Sequence, residues 1–122
     1  MVKYDIYTYD EEADSIFLAF PMEYEFQQVI ELDDDILLEI DVNGKPRALE
    51  VLNASMHFNV SKSVLKNNIV KIEMVIEITD NQISVEVNLT DSSKHVLLPL
   101  NNSISNLACI PVSDESINLS LA

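Results

Sequence analysis

Glycine is almost missing from this chain: Gly44 is the single one in 122 residues. A phosphate-cradling loop needs several close backbone approaches that only glycine permits, so nucleotide-binding fingerprints are excluded. Cysteine is equally scarce. Cys109 alone can form neither an intrachain disulfide nor a cysteine-based zinc cage. Basic residues number seven against 21 acidic ones, a net charge of −14. So thin a cationic complement makes a poor phosphate-binding surface, which argues against nucleic acid as a partner. No apolar run approaches the roughly 20 residues that span a bilayer, and a strongly negative surface is repelled by anionic headgroups. The N-terminal stretch MVKYDIYTYD has no apolar h-region and no small-residue cleavage site. A cytoplasmic protein with no membrane contact and no resident cofactor is expected.

What is present is alternation. Hydrophobic residues make up 48%, so the charge does not belong to a disordered acidic tail. Residues 69–79 place Val70, Ile72, Met74, Ile76 and Ile78 on one side and Lys71, Glu73, Glu77 and Thr79 on the other. Asp80-Asn81 turns the chain, and residues 82–90 alternate again with Ile83, Val85, Val87 and Leu89 inward. Earlier, residues 2–9 and 15–20 flank an acidic turn, and 24–32 form a third strand with Tyr24, Phe26, Ile30 and Leu32 on one face. Residues 36–42 follow with Ile36, Leu38, Ile40 and Val42 inward. Asn43-Gly44 is a hairpin turn, since both positions tolerate positive φ, and 46–52 return from it. The one helix expected is short, at residues 61–67, capped by Ser61 with Val64 and Leu65 turned inward. Beyond it, residues 94–98 and 116–121 read as strands separated by an Asn/Ser-rich stretch at 101–106. Cys109, between Ala108 and Ile110, reads as a core residue. The fold class expected is mainly β (α+β), with antiparallel sheets built from hairpins and one short helix. Residues 1–60 form an acidic hairpin region, 61–68 a connector and 69–122 a second β region packed with the first.

Charge is uneven along the chain. Residues 1–50 hold 14 acidic and three basic side chains, while residues 51–122 hold seven and four. Residues 9–55 resemble the domain of unknown function 2283 family. The residues that carry the resemblance are Tyr9-Asp10, Glu12-Ala13-Asp14, Ile16-Phe17-Leu18 and Glu31-Leu32-Asp33-Asp34. They continue with residues 36–40, Asn43-Gly44, Leu49-Glu50-Val51-Leu52 and Asn53-Ala54-Ser55. Asp35 and Ala48 stand where the family often has glycine. The resemblance implies an acidic partner for a small basic, toxin-like protein encoded beside it, and it brings no catalytic residues.

Clustered carboxylates at Asp10, Glu12, Asp14 and Asp33 are the candidate ligands for a hard divalent cation, which takes oxygen donors. Asp and Asn also favour turns because their side chains bond the local backbone. His57 and His95 are isolated in sequence. Glu50 either faces solvent or pairs across the sheet with Arg47 or Lys45. Aromatics rimmed by acids, such as Tyr7, Tyr9, Tyr24, Phe17 and Phe26, suit a basic partner. A non-enzymatic interaction module binding a basic protein, in the manner of an antitoxin, is the function expected. A small divalent-metal-binding protein or enzyme using the acidic turns is the alternative. A homodimer is a further possibility, because long apolar strands leave edges that need cover.

Overall fold

The structure, a computed structural model, describes residues 6–121. Alternation produces two antiparallel sheets, as expected. The first half forms β1 (Tyr7–Asp10), β2 (Ser15–Ala19), β3 (Phe26–Asp33), β4 (Ile36–Asp41) and β5 (Pro46–Val51). They lie in the order β1-β2-β5-β4-β3, so β2 pairs with β5 and the β2–β3 connection crosses to the far edge. The second half forms β6 (Ile69–Ile78), β7 (Gln82–Asp91), β8 (Leu100–Ser105) and β9 (Ser113–Ser120), in the order β8-β7-β6-β9. Between the sheets run two short helices, α1 (Ala54–His57) and α2 (Lys62–Asn67). The N-terminal part of the first expected strand lies outside the described residues.

The period-two pattern gives each sheet one buried face. In the first, Ile16, Leu18, Ile36, Leu38, Leu49 and Val51 are fully shielded; in the second, Ile72, Met74, Ile76, Ile83 and Val87 are. These faces, with Ala54, Phe58 and Leu65 from the helical connector, make one continuous core. Burying each such side chain contributes roughly 1.5–3 kcal/mol, so neither sheet is indifferent to losing the other. The edges β3 and β8 also meet, where Asn102 Nδ2 donates to Asp33 Oδ2 at 3.4 Å. On the other side the Tyr7 hydroxyl donates to the Leu65 carbonyl at 2.7 Å, tying β1 to α2. Helix α2 begins as expected, with Ser61 Oγ accepting from the Val64 N–H. No described helix is long and apolar enough to cross a membrane.

Several expectations fail locally, each for a reason visible in the backbone. Residues 94–98 are not a strand. Lys94 takes φ 64 and only the isolated Thr90–Val96 bridge forms. The Asn/Ser-rich stretch that follows supplies β8 instead, because an edge strand accepts polar side chains. Phe26 does not share a face with Ile30: a bulge between Phe26 and Gln28 shifts the register, and Phe26 is 53% exposed. A second irregularity between Ile69 and Lys71 buries Ile69 and leaves Val70 half-buried. Val42 is exposed because β4 ends at Asp41 and Val42 enters the hairpin turn. Helix α1 was not expected, and Asn53, in the left-handed conformation at φ 51, starts it. Cys109 is exposed and not in the core. It sits at φ 54 in the turn between β8 and β9, so the apolar sequence around it does not translate into burial.

Candidate functional site

The family-like residues converge at one end of the first sheet. Asp14, at φ 52, closes the β1–β2 turn and points back into the protein. Its Oδ1 accepts from the Tyr9 hydroxyl at 2.7 Å and from the Ser55 N–H at 3.1 Å, and its Oδ2 accepts from Ser55 Oγ at 2.7 Å. Its carbonyl accepts from the Ala54 N–H. Burial alone would raise the Asp14 carboxyl, but the bonds from Ser55 and Tyr9 outweigh it and hold the group below its ordinary value. Burial, and then donation to that carboxylate, push the Tyr9 hydroxyl well above its own. Beside this group Asp35 accepts from Asn53 Nδ2 at 3.2 Å and contacts His57 Nε2 at 2.9 Å. The motif residues Asp14, Asn53 and Ser55 therefore pin α1 onto the sheet.

The β4–β5 hairpin repeats this economy. Asp41 is 3% exposed. It accepts from the N–H groups of Asn43 and Lys45 and from Arg47 Nε, at 2.8–2.9 Å. Burial opposes its ionisation, yet the Lys45 N–H, Arg47 and the Asn43 N–H together hold its carboxyl below the ordinary range. Gly44 takes φ +78 at the tip, against the ring of Pro111 from the segment leading into β9.

The four sequence candidates for a cation do not gather. Asp14 spends both oxygens internally. Asp10 caps the Ala13 N–H at 3.0 Å, and Glu12 is exposed in the same turn. Asp33 accepts from the Asp34 N–H at 2.7 Å at the opposite edge of the sheet. Four strand spacings separate those edges, about 19 Å along a flat sheet. Among the described residues no three His, Cys, Asp or Glu side chains group to hold a metal. His95 is exposed, 3.8 Å from Asp91.

The outer face of the first sheet gathers acids that no stretch of sequence places together. Phe17, Glu50, Leu37 and Glu31 stand opposite one another across β2, β5, β4 and β3. Ala19, Ala48, Glu39 and Val29 form the adjacent row. Each glutamate is thus flanked across the strands by apolar side chains. Tyr24 donates to Glu39 Oε1 at 2.9 Å, and its hydroxyl is pushed up to about 12 by burial and by that carboxylate. Arg47 is engaged with Asp41, and no ion pair to Glu31, Glu39 or Glu50 forms among the described residues. The outer face of the second sheet differs. Its acids Glu73, Glu77 and Glu86 stand opposite Asn88, Ser84 and Val75, and Lys71 pairs with Glu73 at 3.0 Å. A shallow open depression of about 400 Å³ lies there, lined by Glu77, Ser84, Glu86 and Asn101.

Similarity to known proteins is confined to the first sheet in a family profile and extends beyond it in two relatives. The profile of a family described as "Protein of unknown function (DUF2283)" matches residues 6–55, which are the first sheet and the start of α1. An uncharacterized protein of Methanocaldococcus jannaschii is 38% identical over 81 residues, covering 66% of this chain and 68% of the relative. A protein of Methanosarcina mazei named "Putative hypoxanthine phosphoribosyltransferase" is 31% identical over 115 residues, covering 93% and 91%. No solved structure shows significant similarity.

Proposed function

The chain belongs to the DUF2283 family, and from that premise we propose that it is a non-enzymatic interaction module whose acidic half docks a basic protein, as an antitoxin docks its toxin. One observation carries this reading. The polar residues set into the family segment, buried at Tyr9 and Asp41 and half-buried at Asp14, Asp35, Arg47 and Ser55, are consumed in bonds that hold the fold, while Glu11, Glu12, Glu25, Glu31 and Asp34 are exposed. A field of that sign raises the encounter rate with cationic partners and repels nucleic acid and anionic lipid. The same reading places the protein in the cytosol, where the Cys109 thiol stays reduced.

The phosphoribosyltransferase name of one relative is not carried over. Holding a diphosphate calls for glycine-rich turns or helix N-termini, and here the only glycine is a hairpin tip and the helices have four and six residues. The binding reading is tested by co-expressing the chain with the product of the adjacent gene and purifying on either partner. A complex that forms at low salt and dissociates as ionic strength rises supports it. No complex, or one indifferent to salt, overturns it.

A further inference from the structure

We propose that the open edge of the second sheet, β9, pairs antiparallel with β9 of a second copy of this chain, joining two second sheets into one. The inference goes beyond the binding reading, which concerns the acidic first half, and does not rest on it. A strand at a sheet edge presents unpaired N–H and C=O groups, and proteins guard such edges with short strands, bulges, lysine or proline. The other three edges are guarded or covered. Strand β1 has four residues. Strand β3 carries two register irregularities and closes against β8, where Asn102 meets Asp33. Strand β9 has eight residues with no proline and no lysine, and it pairs with β6 from Ser113 to Ser120 without an irregularity.

The phase of the hydrogen bonds fixes what β9 offers. The Leu121 N–H donates to the Val70 carbonyl at 2.7 Å, so Ser113, Glu115, Ile117, Leu119 and Leu121 bond toward β6. On the other side of β6 the Thr79 N–H donates to the Gln82 carbonyl at 2.8 Å, which is the complementary phase. Asp114, Ser116, Asn118 and Ser120 therefore turn both backbone groups away from the sheet. All of them are exposed, and no described residue bonds to those groups. A two-fold axis at Asn118 matches this strand to itself. Ser116 then exchanges main-chain bonds with Ser120 of the copy, and Asn118 with Asn118 of the copy. On the inner side Ile117, 7% exposed, and half-buried Leu119 stand opposite Leu119 and Ile117 of the copy, so the apolar row of each sheet continues across the junction. Asp114 and Glu115 fall at the ends of the paired stretch, and the two copies of Glu115 stand about 20 Å apart. An axis at Ile117 would instead set Glu115 against the apolar Leu119, so charge selects the axis at Asn118. A second copy suits this edge better than a basic strand does. Ser116 to Ser120 offer no counter-charge, and residues 51–122 hold only seven acids against four bases.

Sedimentation of the intact chain across concentration and salt tests this. A dimer is expected, and it should tighten as salt rises because two chains of charge −14 repel. A complex with a basic partner responds to salt in the opposite sense. Asn118→Lys and Asn118→Asp each set like charges face to face on the axis and are expected to weaken the dimer about fivefold, while their equimolar mixture recovers it. Asn101→Lys, exposed on β8, changes the net charge as Asn118→Lys does and should leave the dimer intact. Ser116→Pro removes an outward donor that the monomer does not use, so the fold should survive and the dimer weaken more than about tenfold. In the intact chain the amides of Ser116, Asn118 and Ser120 should exchange with solvent slowly when concentrated and quickly on dilution, which reads the edge without any variant. A chain that stays monomeric at millimolar concentration in any salt, a dimer whose edge amides exchange freely, or Lys and Asp variants that pair as well alone as mixed overturns the proposal and leaves the binding reading standing. Protection of those amides only on adding the basic partner would give the edge to that partner and likewise overturns it.

Discussion

Ser55 donates to Asp14 twice, through its backbone N–H at 3.1 Å and its hydroxyl at 2.7 Å, across 41 positions of sequence. The pair fastens the first turn of the sheet to the chain that leaves it. Ser55→Ala removes one donor from a half-buried carboxylate and is expected to cost about 1 kcal/mol. Asp14→Ala strands Ser55 and Tyr9 together and is expected to cost more. Urea unfolding of both single variants and the double should return a coupling of about 1–3 kcal/mol. A coupling near zero would mean the two residues act separately.

Acid should destabilise the protein through two particular carboxyls. Asp14 and Asp41 both lie below 3.8 in the folded chain, so above that value their contribution is fully present. As the pH falls below it, the unfolded chain takes up protons first, and stability is lost until the folded carboxyls protonate too. The urea midpoint should therefore drop steadily below about pH 4, less steeply in Asp14→Asn. The tyrosines set the alkaline limit. Burial is the largest cause raising Tyr7, Tyr9 and Tyr24 above 10.0, so their contribution holds below that value and fades above it.

The hairpin tip should tolerate nothing larger than hydrogen. A Cβ on Gly44 would lie 2.8 Å from Cδ and Cγ of Pro111, at a φ of +78 that disfavours any side chain. Gly44→Ala is expected to cost about 2–3 kcal/mol. In a Pro111→Ala background the steric part disappears and the backbone part stays, so about half the loss should return. An undiminished loss there would show that Pro111 is not the obstacle.

Cys109 should react in the native protein. Its exposed position predicts one equivalent of Ellman's reagent consumed without denaturant, at close to the rate of a free thiol. A requirement for denaturant would place it in the core after all.

Strands were legible where alternation ran unbroken, as in β6 and β7, because a one-residue slip there would expose an entire apolar row. Residues next to bulges were not: the extra residue before Gln28 inverts Phe26, and no sequence signal marks it. Polar β8 was hidden because an edge strand needs no apolar pattern on its outer side. Asp14 and Ser55 both lie in the family-like segment, but the neighbours Asp10 to Glu12 made Asp14 look solvated. The glutamates of the outer face were each visible as outward positions. Their proximity was not, because it depends on the registers of the β3–β4 and β4–β5 pairings, each of which an irregularity shifts.

The segment that defines the family ends at residue 55, just as the chain departs from its sheet. That segment therefore has a greasy underside it cannot shelter by itself. Any protein built from it must borrow a lid, whether a second layer later in its own polypeptide, as here, or a twin molecule where the polypeptide stops short. Relatives trimmed to the motif alone should thus be obligate pairs.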